Sequence, residues 1–195
     1  MKLGKIEKWF MKRSSHVERT INRADRLLGF VEIKPNHKFL EVGCGSGGVS
    51  RHIAEKHLLN VTGTDLDPEL VQLARENINN SLDIQFLEAD STNLPFEDDH
   101  FDIVLSFGVM HHIPNWLGAL DEIKRILKAK GYLVYFDILY PKFTAWVGGF
   151  FKHKYGITTL QGLNSFIEKN NFSVIYSSLS KSLFLRHYEA VYRKD

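Results

Sequence analysis

Residues 39–48 read FLEVGCGSGG. An apolar run ends in a glycine-rich turn, the pattern of a buried strand that bends sharply into a helix. Such turns usually receive phosphate groups, because glycine lets a ligand reach the backbone and a helix start offers N–H donors. Glu41 does not suit that use. Its carboxylate falls two residues before the first glycine, where a pyrophosphate would be repelled.

Working outward, Lys38–Val42 is expected as the first strand, and Gly47-Gly48 opens a helix to about His57. Asn60–Asp65 reads as a second strand. Asp67 then caps a helix that Pro68 begins and that reaches about Ile78. Asp83–Glu88 is a third strand, followed by the loop ADSTNLPFEDDH. Phe101–Ser106 is a fourth strand, Asn115–Lys128 a helix with Leu117, Leu120, Ile123 and Ile126-Leu127 on one face, and Gly131–Ile138 a fifth strand. Strands alternating with helices predict right-handed crossovers and a parallel sheet covered on both faces. The fold class is therefore α/β, a Rossmann-like three-layer α/β/α sandwich. Residues 1–28 suit an amphipathic helix, with Leu3, Ile6, Phe10, Val17 and Ile21 at helical spacing. Beyond Pro141, a helix around Thr159–Asn170 precedes FSVIYSSL and SLFLRHYEAVYR, which fit an antiparallel hairpin at one edge of the sheet.

The 195 residues suit a single domain, with 1–28 as a helical cap, 38–138 as the ligand-binding core and 139–195 as a substrate-covering insert with a C-terminal helix and hairpin. One cysteine, Cys44, excludes an internal disulfide and a cysteine zinc cluster. No apolar run approaches the roughly 20 residues of a membrane span. The basic N-terminus, MKLGKIEKWFMKRSSH, lacks the apolar stretch and cleavage site of a signal peptide. A cytoplasmic, reducing location is expected. The net charge of +2 is unevenly spread: residues 1–26 and 141–195 each carry eight Lys/Arg against three acidic side chains, while 27–140 carry nine against seventeen. An acidic middle lies between basic ends, and the two ends are expected to converge near the acceptor.

The turn is the place to look for a ligand, because open α/β sheets bind beyond the carboxyl ends of their strands. Gly43-Cys44-Gly45-Ser46-Gly47-Gly48 satisfies GxGxxG, a weak signal alone. Asp65, 22 residues after Gly43, can accept from both hydroxyls of a ribose, a feature shared by NAD and other adenosine cofactors. Asp90 follows the third strand and can receive an adenine amino group. Glu41 discriminates between these cofactors. S-adenosyl-L-methionine brings no phosphate but an α-ammonium and a sulfonium, and both favour a negative neighbourhood.

These segments resemble the class I S-adenosylmethionine-dependent methyltransferases, of the group acting largely on small molecules. EVGCGSG is similar to that family's motif I and GTDLDPELVQLAREN to its second motif. FLEADSTNLPFEDDHFDIVLSFGVMHHI and EIKRILKAKGYLVYFD resemble the third-to-fourth-strand region and the fifth strand. Lys128-Ala129-Lys130-Gly131 departs from the usual Lys-Pro-Gly-Gly turn. The resemblance implies a mostly parallel seven-stranded sheet, and it implies roles. Glu41 would hold the methionine ammonium, while Gly43, Cys44 and Gly45 line the methionine portion. Asp65 would bind the ribose, Leu66 pack on the adenine, and Asp90 take the adenine amino group beside the backbone of Ser91. Phe107 would border the methionine group. The product would be S-adenosyl-L-homocysteine.

No catalytic residue is assigned firmly. His111 and His112 follow the fourth strand, and their ordinary pKa suits proton removal from an acceptor; as neighbours they are expected to point apart. Asp137 and Tyr140 are weaker candidates, Cys44 is not expected to be a nucleophile, and no metal site is expected. Ser106-Phe107-Gly108-Val109 stands where amino-methylating nucleic-acid enzymes carry Asn/Asp-Pro-Pro-aromatic, so nucleic acid is disfavoured as the acceptor. The aromatic, then basic, stretch FTAWVGGFFKHKYG (143–156), with WFMKR (9–13), suits a lid over a small lipid-like or anionic acceptor, or peripheral contact with a membrane. Two rival readings stand: an NAD(P)-dependent oxidoreductase, which lacks a YxxxK pair here, and a noncatalytic S-adenosylmethionine-binding subunit. Oligomeric state is not legible.

Overall fold

The computed structural model describes residues 14–78, 81–140, 156–182 and 185–195. The chain order is α1 (Ser14–Leu28), β1 (Lys38–Val42), α2 (Gly48–His57), β2 (Asn60–Asp65), α3 (Pro68–Glu76), β3 (Ile84–Glu88), β4 (Phe101–Phe107), a 3₁₀ turn (Met110–His112), α4 (Trp116–Ile126), β5 (Leu127–Leu139), α5 (Leu160–Lys169), β6 (Phe172–Ser182) and β7 (Leu185–Lys194). The expected lid segment 9–13 lies outside the described residues, as do Leu3, Ile6, Phe10 and all of 143–156 except Gly156.

Seven strands form one sheet in the order β3-β2-β1-β4-β5-β7-β6. β1 to β5 pair in parallel, and β7 runs antiparallel to both β5 and β6. The order reverses at β1, which has β2 on one side and β4 on the other. A crevice therefore opens where the connections from β1 and β4 leave in opposite directions.

Strand alternation builds the layers. Leu40, Val42, Val104, Leu133 and Tyr135 pack on one face with α4 and α5; Phe39, Ile103, Leu105, Val134 and Val191 pack on the other with α1 and α2. Cys44 joins Val71, Ala74 and Phe86 in a small cluster under α3. Helix starts follow their caps: Asp67 accepts from the Glu69 N–H before Pro68, and Thr159 from that of Gly162 before Leu160.

The expected helix to Lys128 and strand from Gly131 need correction. α4 stops at Ile126 and β5 starts at Leu127, because Leu127 already pairs with Phe101. The pairing resumes at Ile103 with Tyr132, and the extra residues bulge out with Lys130 at φ 65°.

Helix α1 is the long crosspiece. Its 15 residues span about 22 Å, close to the roughly 19 Å that separate β1 from β6. Along it Val17 borders Gly48, Arg23 lies over Phe136 of β5, and Arg26 bonds Glu189 of β7 at 2.7 Å. Just beyond it, Phe30 stacks on Tyr176 of β6, with centroids 4.3 Å apart. One element thus ties the glycine turn to the C-terminal hairpin.

Candidate functional site

The glycine turn has little left to offer a phosphate. The N–H groups of Gly43 and Cys44 both donate to Thr64 O, at 2.7 and 2.9 Å. That of Gly45 donates to Asp65 Oδ2 at 2.9 Å, and that of Gly47 to Cys44 O at 2.9 Å. At the start of α2, Ser50 bonds the Glu41 carboxylate through its hydroxyl and its backbone N–H. The protein's own carboxylate thus stands where an anionic ligand would otherwise sit at the positive end of the helix.

Glu41 is 5 % exposed, so it is not a solvated strand-end charge. Burial pushes its pKa up to about 8, against the opposing Ser50 hydrogen bonds. Burial also raises Asp65, opposed by the N–H bonds from Asp67 and Gly45. The same cause, followed by the charges of Glu41 and Asp65, raises the Cys44 thiol, which makes it a poor nucleophile. Desolvated carboxylates with raised pKa values are poised to ionise when a cation arrives.

Two spaces with shared walls flank the turn. The larger, about 330 Å³, is walled by Asp65 at the end of β2 and Leu66 beyond it, Asp90 and Ser91 after β3, Phe107 at the end of β4 with Gly108 and Val109, and His112 to Asn115. The smaller, about 70 Å³, lies among Glu41, Gly43, Cys44, Gly45, Phe107 and the α1 residues Val17 and Thr20. Gly43 and Phe107 border both. Gly43 has φ +74°, and a Cβ there would stand 2.3 Å from Val109 Cγ2; only glycine fits both the bend and the gap.

Each wall is fixed from behind. Asp65 Oδ1 accepts from the Asp67 N–H at 2.9 Å while Oδ2 holds Gly45, which sets the carboxyl plane. Asp90 Oδ1 accepts from the N–H and the hydroxyl of Thr92, both at 2.8 Å. The loop carrying Asp90 is strapped to α4: Arg125 bonds both oxygens of Glu122 and the carbonyls of Leu94 and Phe96, and Glu122 accepts from the Leu94 N–H.

The histidines depart from expectation. His112 lines the larger space, whereas His111 does not. His111 Nδ1 sits 2.5 Å from Oδ1 of Asp137, a side chain with no exposure, and the Ile138 N–H bonds the same oxygen at 2.6 Å. A carboxylate only accepts, so Nδ1 carries the proton. The two rings do not point apart; their centroids are 3.9 Å apart, because the 3₁₀ turn folds them together. Tyr140 lies outside the larger space, its N–H on Thr158 O. The separate 430 Å³ cavity that it lines with α5 and Arg186 shares no residue with the other two. Among the described residues no group of three His, Cys, Asp or Glu converges as a metal site, and no helix is long and apolar enough to cross a membrane.

Sequence reasoning missed Ser50, which locks Glu41, and the α1 face of Val17 and Thr20. Their helical spacing was legible, but not the surface they cover.

Residues 40–135 match the family model described as a methyltransferase domain. The chain is 35% identical over 119 residues to a phthiotriol/phenolphthiotriol dimycocerosates methyltransferase of Mycobacterium ulcerans, covering 60% of this chain and 43% of that protein. It is 31% identical over 119 residues to a demethylmenaquinone methyltransferase of Staphylococcus saprophyticus, covering 60% and 51%. The chain thus spans about half the length of the curated relatives it matches. Among solved structures, the geranyl diphosphate C-methyltransferase of Streptomyces coelicolor, in complex with Mg²⁺, geranyl diphosphate and S-adenosyl-L-homocysteine, superposes with TM-score 0.75 at 12% identity, covering 94% of this chain and 87% of that one. At that identity the likeness concerns the fold.

Proposed function

Through residues 40–135 this chain belongs to the class I S-adenosylmethionine-dependent methyltransferases, and from that premise we propose that it moves a methyl group from S-adenosyl-L-methionine to a small-molecule acceptor with lipid-like or anionic character. The observation that carries the cofactor reading is the turn itself. The N–H groups of Gly43, Cys44, Gly45 and Gly47 are taken internally, and the buried Glu41 carboxyl group occupies the helix start. That arrangement opposes a pyrophosphate and suits a cationic methionine, which disfavours an NAD(P)-dependent oxidoreductase.

The bound sulfonium supplies an electrophilic methyl group and a neutral leaving group. The chain's residues hold and orient. Asp65 offers the remaining lone pairs of both oxygens to a ribose diol, and Leu66 gives an apolar cover for the base. Asp90 and the Ser91 backbone face the base's polar edge. Glu41, ionised by an arriving ammonium, holds the methionine end among Gly43, Cys44 and Gly45, and Phe107 marks the boundary between the two spaces. Positioning of this kind can supply roughly 7–11 kcal/mol. Where the acceptor arrives protonated, His112, which lines the larger space, is the candidate base, and the His111–Asp137 bond holds the turn that presents it. The relatives' names, a lipid methyltransferase and a quinone methyltransferase, support an apolar acceptor. The lone Cys44 fits a reducing, cytoplasmic setting. Residues 139–195 fit a substrate-covering role around that acceptor.

Asp65→Ala is expected to weaken S-adenosyl-L-homocysteine binding by about 1.5–3 kcal/mol, the range for a hydrogen bond to a charged group. Calorimetry that finds unchanged affinity removes Asp65 from the site. Tight NADH binding without S-adenosyl-L-homocysteine binding reverses the assignment.

A further inference from the structure

Past Phe107, away from the adenosine walls, the upper edge of the sheet carries a row of half-buried rings on the α1 face. Phe136 meets Phe107 edge-on at 5.9 Å, and His187 lies parallel to Phe136 at 6.0 Å. The residues below them on this face, Leu105, Val134 and Val191, are fully buried. Arg23 lies over this row, its guanidinium carbon 3.6 Å from the Phe136 centroid. On α1, Arg23 follows Val17 and Thr20 at successive three-residue steps. It therefore continues the face that borders the methionine groove.

The obvious partner of Arg23 is already engaged. Glu189 is bonded by Arg26 at 2.7 Å and by the Tyr176 hydroxyl at 3.2 Å. Arg23 makes only a long ion pair with it, Nε to Oε2 at 3.6 Å, and that buried Nε makes no hydrogen bond among the described residues. Burial, the largest influence, lowers its pKa against the charge of Glu189, and Arg26 and Arg19 lower it further. A guanidinium over an aromatic shelf beside the groove, its ion pair to Glu189 long and shared with Arg26, can take a second anion.

We propose that Arg23 is the anchor of an acceptor site that takes an oxyanion on an apolar body, the body resting on Phe107 and Phe136. The inference rests on the cofactor reading above, since that reading places the methyl centre beside Phe107. It narrows the acceptor to a carboxylate, an ionised hydroxyl or a phosphate ester carried by an aromatic or isoprenoid-like group.

The full chain, loaded with S-adenosyl-L-homocysteine, is titrated calorimetrically with 2-naphthoate, 2-naphthyl phosphate and the neutral 2-naphthamide. At least one of the two anions is expected to bind tenfold or more tightly than the amide, and the tighter one tells carboxylate from phosphate. Arg23→Gln is expected to erase that preference and leave S-adenosyl-L-homocysteine affinity within twofold; Arg23→Lys keeps part of the preference. Glu189→Gln, which removes the competing carboxylate, is expected to raise anion affinity two- to threefold, whereas a purely structural Arg23 would show no such gain. Equal binding of anions and amide in the loaded wild-type protein overturns the site, as does a preference that survives in Arg23→Gln. Failure of S-adenosyl-L-homocysteine to bind the wild-type protein overturns the cofactor reading instead, and removes the premise of the Arg23 site with it.

Discussion

The two halves of the crevice are built by different means. On the side of β1, β2 and β3, every ligand-facing carboxylate is held by a partner close along the chain. Glu41 is locked by Ser50, nine residues on; Asp65 by Asp67 and Gly45, two and 20 residues away; Asp90 by Thr92. On the side of β5, β6, β7 and α1, the ties are long-range. Arg26 reaches Glu189 and Tyr176 across 163 and 150 positions, and Arg23 reaches Phe136. The first half is set by a few turns and forms wherever those turns form. The second exists only when a helix from one end of the chain docks on a hairpin from the other.

The sharpest way to break the comparison is at Gly43, where the first half has no slack. Gly43→Ala puts an alanine at φ +74° and a Cβ 2.3 Å from Val109 Cγ2. The left-handed backbone costs roughly 1–2 kcal/mol and moving Val109 roughly 1–3 kcal/mol. A loss of about 3 kcal/mol in urea denaturation is expected, with S-adenosyl-L-homocysteine binding lost as well. A loss under 1 kcal/mol would mean that this turn is as pliant as the docked half.

The second test asks whether Glu41 answers to the ligand. Its folded pKa of about 8 lies above the ordinary 4.5. Between those values the folded chain keeps a proton that the unfolded chain has released. Stability of the ligand-free protein therefore falls as pH rises from about 4.5 to 8, by up to about 1.4 kcal/mol per pH unit. Raised Asp65 acts in the same direction. A bound ammonium favours the carboxylate, so cofactor binding expels the proton, and affinity rises by up to about tenfold per pH unit between roughly pH 6 and 8. Glu41→Gln flattens both profiles. Calorimetry at pH 7 in two buffers of different ionisation enthalpy measures the proton released; none released would place the ammonium away from Glu41.

The same contrast decides how much could be read in advance. β1 and β2 fall where FLEVG and VTGTD place them, and α3 and α5 begin where Asp67-Pro68 and Thr159 say they should. Those signals are local: period-two apolar residues, a capping oxygen, a proline at the first turn. Most residues that line the two spaces could be picked out for the same reason, since they stand at or just past the strand ends. Three features could not. The start of β5 depends on the pairing of Leu127 with Phe101, which no window of sequence contains. His111 and His112 are folded together by the 3₁₀ turn, and His111 bonds the buried Asp137 of β5, 26 positions on. Arg23 looked like one more surface cation on an amphipathic helix; its role depends on Phe136 and Glu189, far along the chain.

The smallest expected effect tests whether the halves are energetically separate. Lys130 holds φ 65° in the bulge before Gly131, with its side chain exposed, where the family's usual turn has glycine. The left-handed backbone costs a lysine roughly 1–2 kcal/mol, and glycine gives back roughly 0.5–1 kcal/mol through unfolded-state entropy. Lys130→Gly should therefore stabilise the chain by about 0.5 kcal/mol, since no packing is lost. The bulge lies at the amino end of β5, opposite the crevice. If the first half is set by its own short-range bonds, S-adenosyl-L-homocysteine affinity stays unchanged while the urea midpoint rises. A change in that affinity would show that strain at the foot of β5 reaches the glycine turn through β4 and β1, and that the two halves relax together.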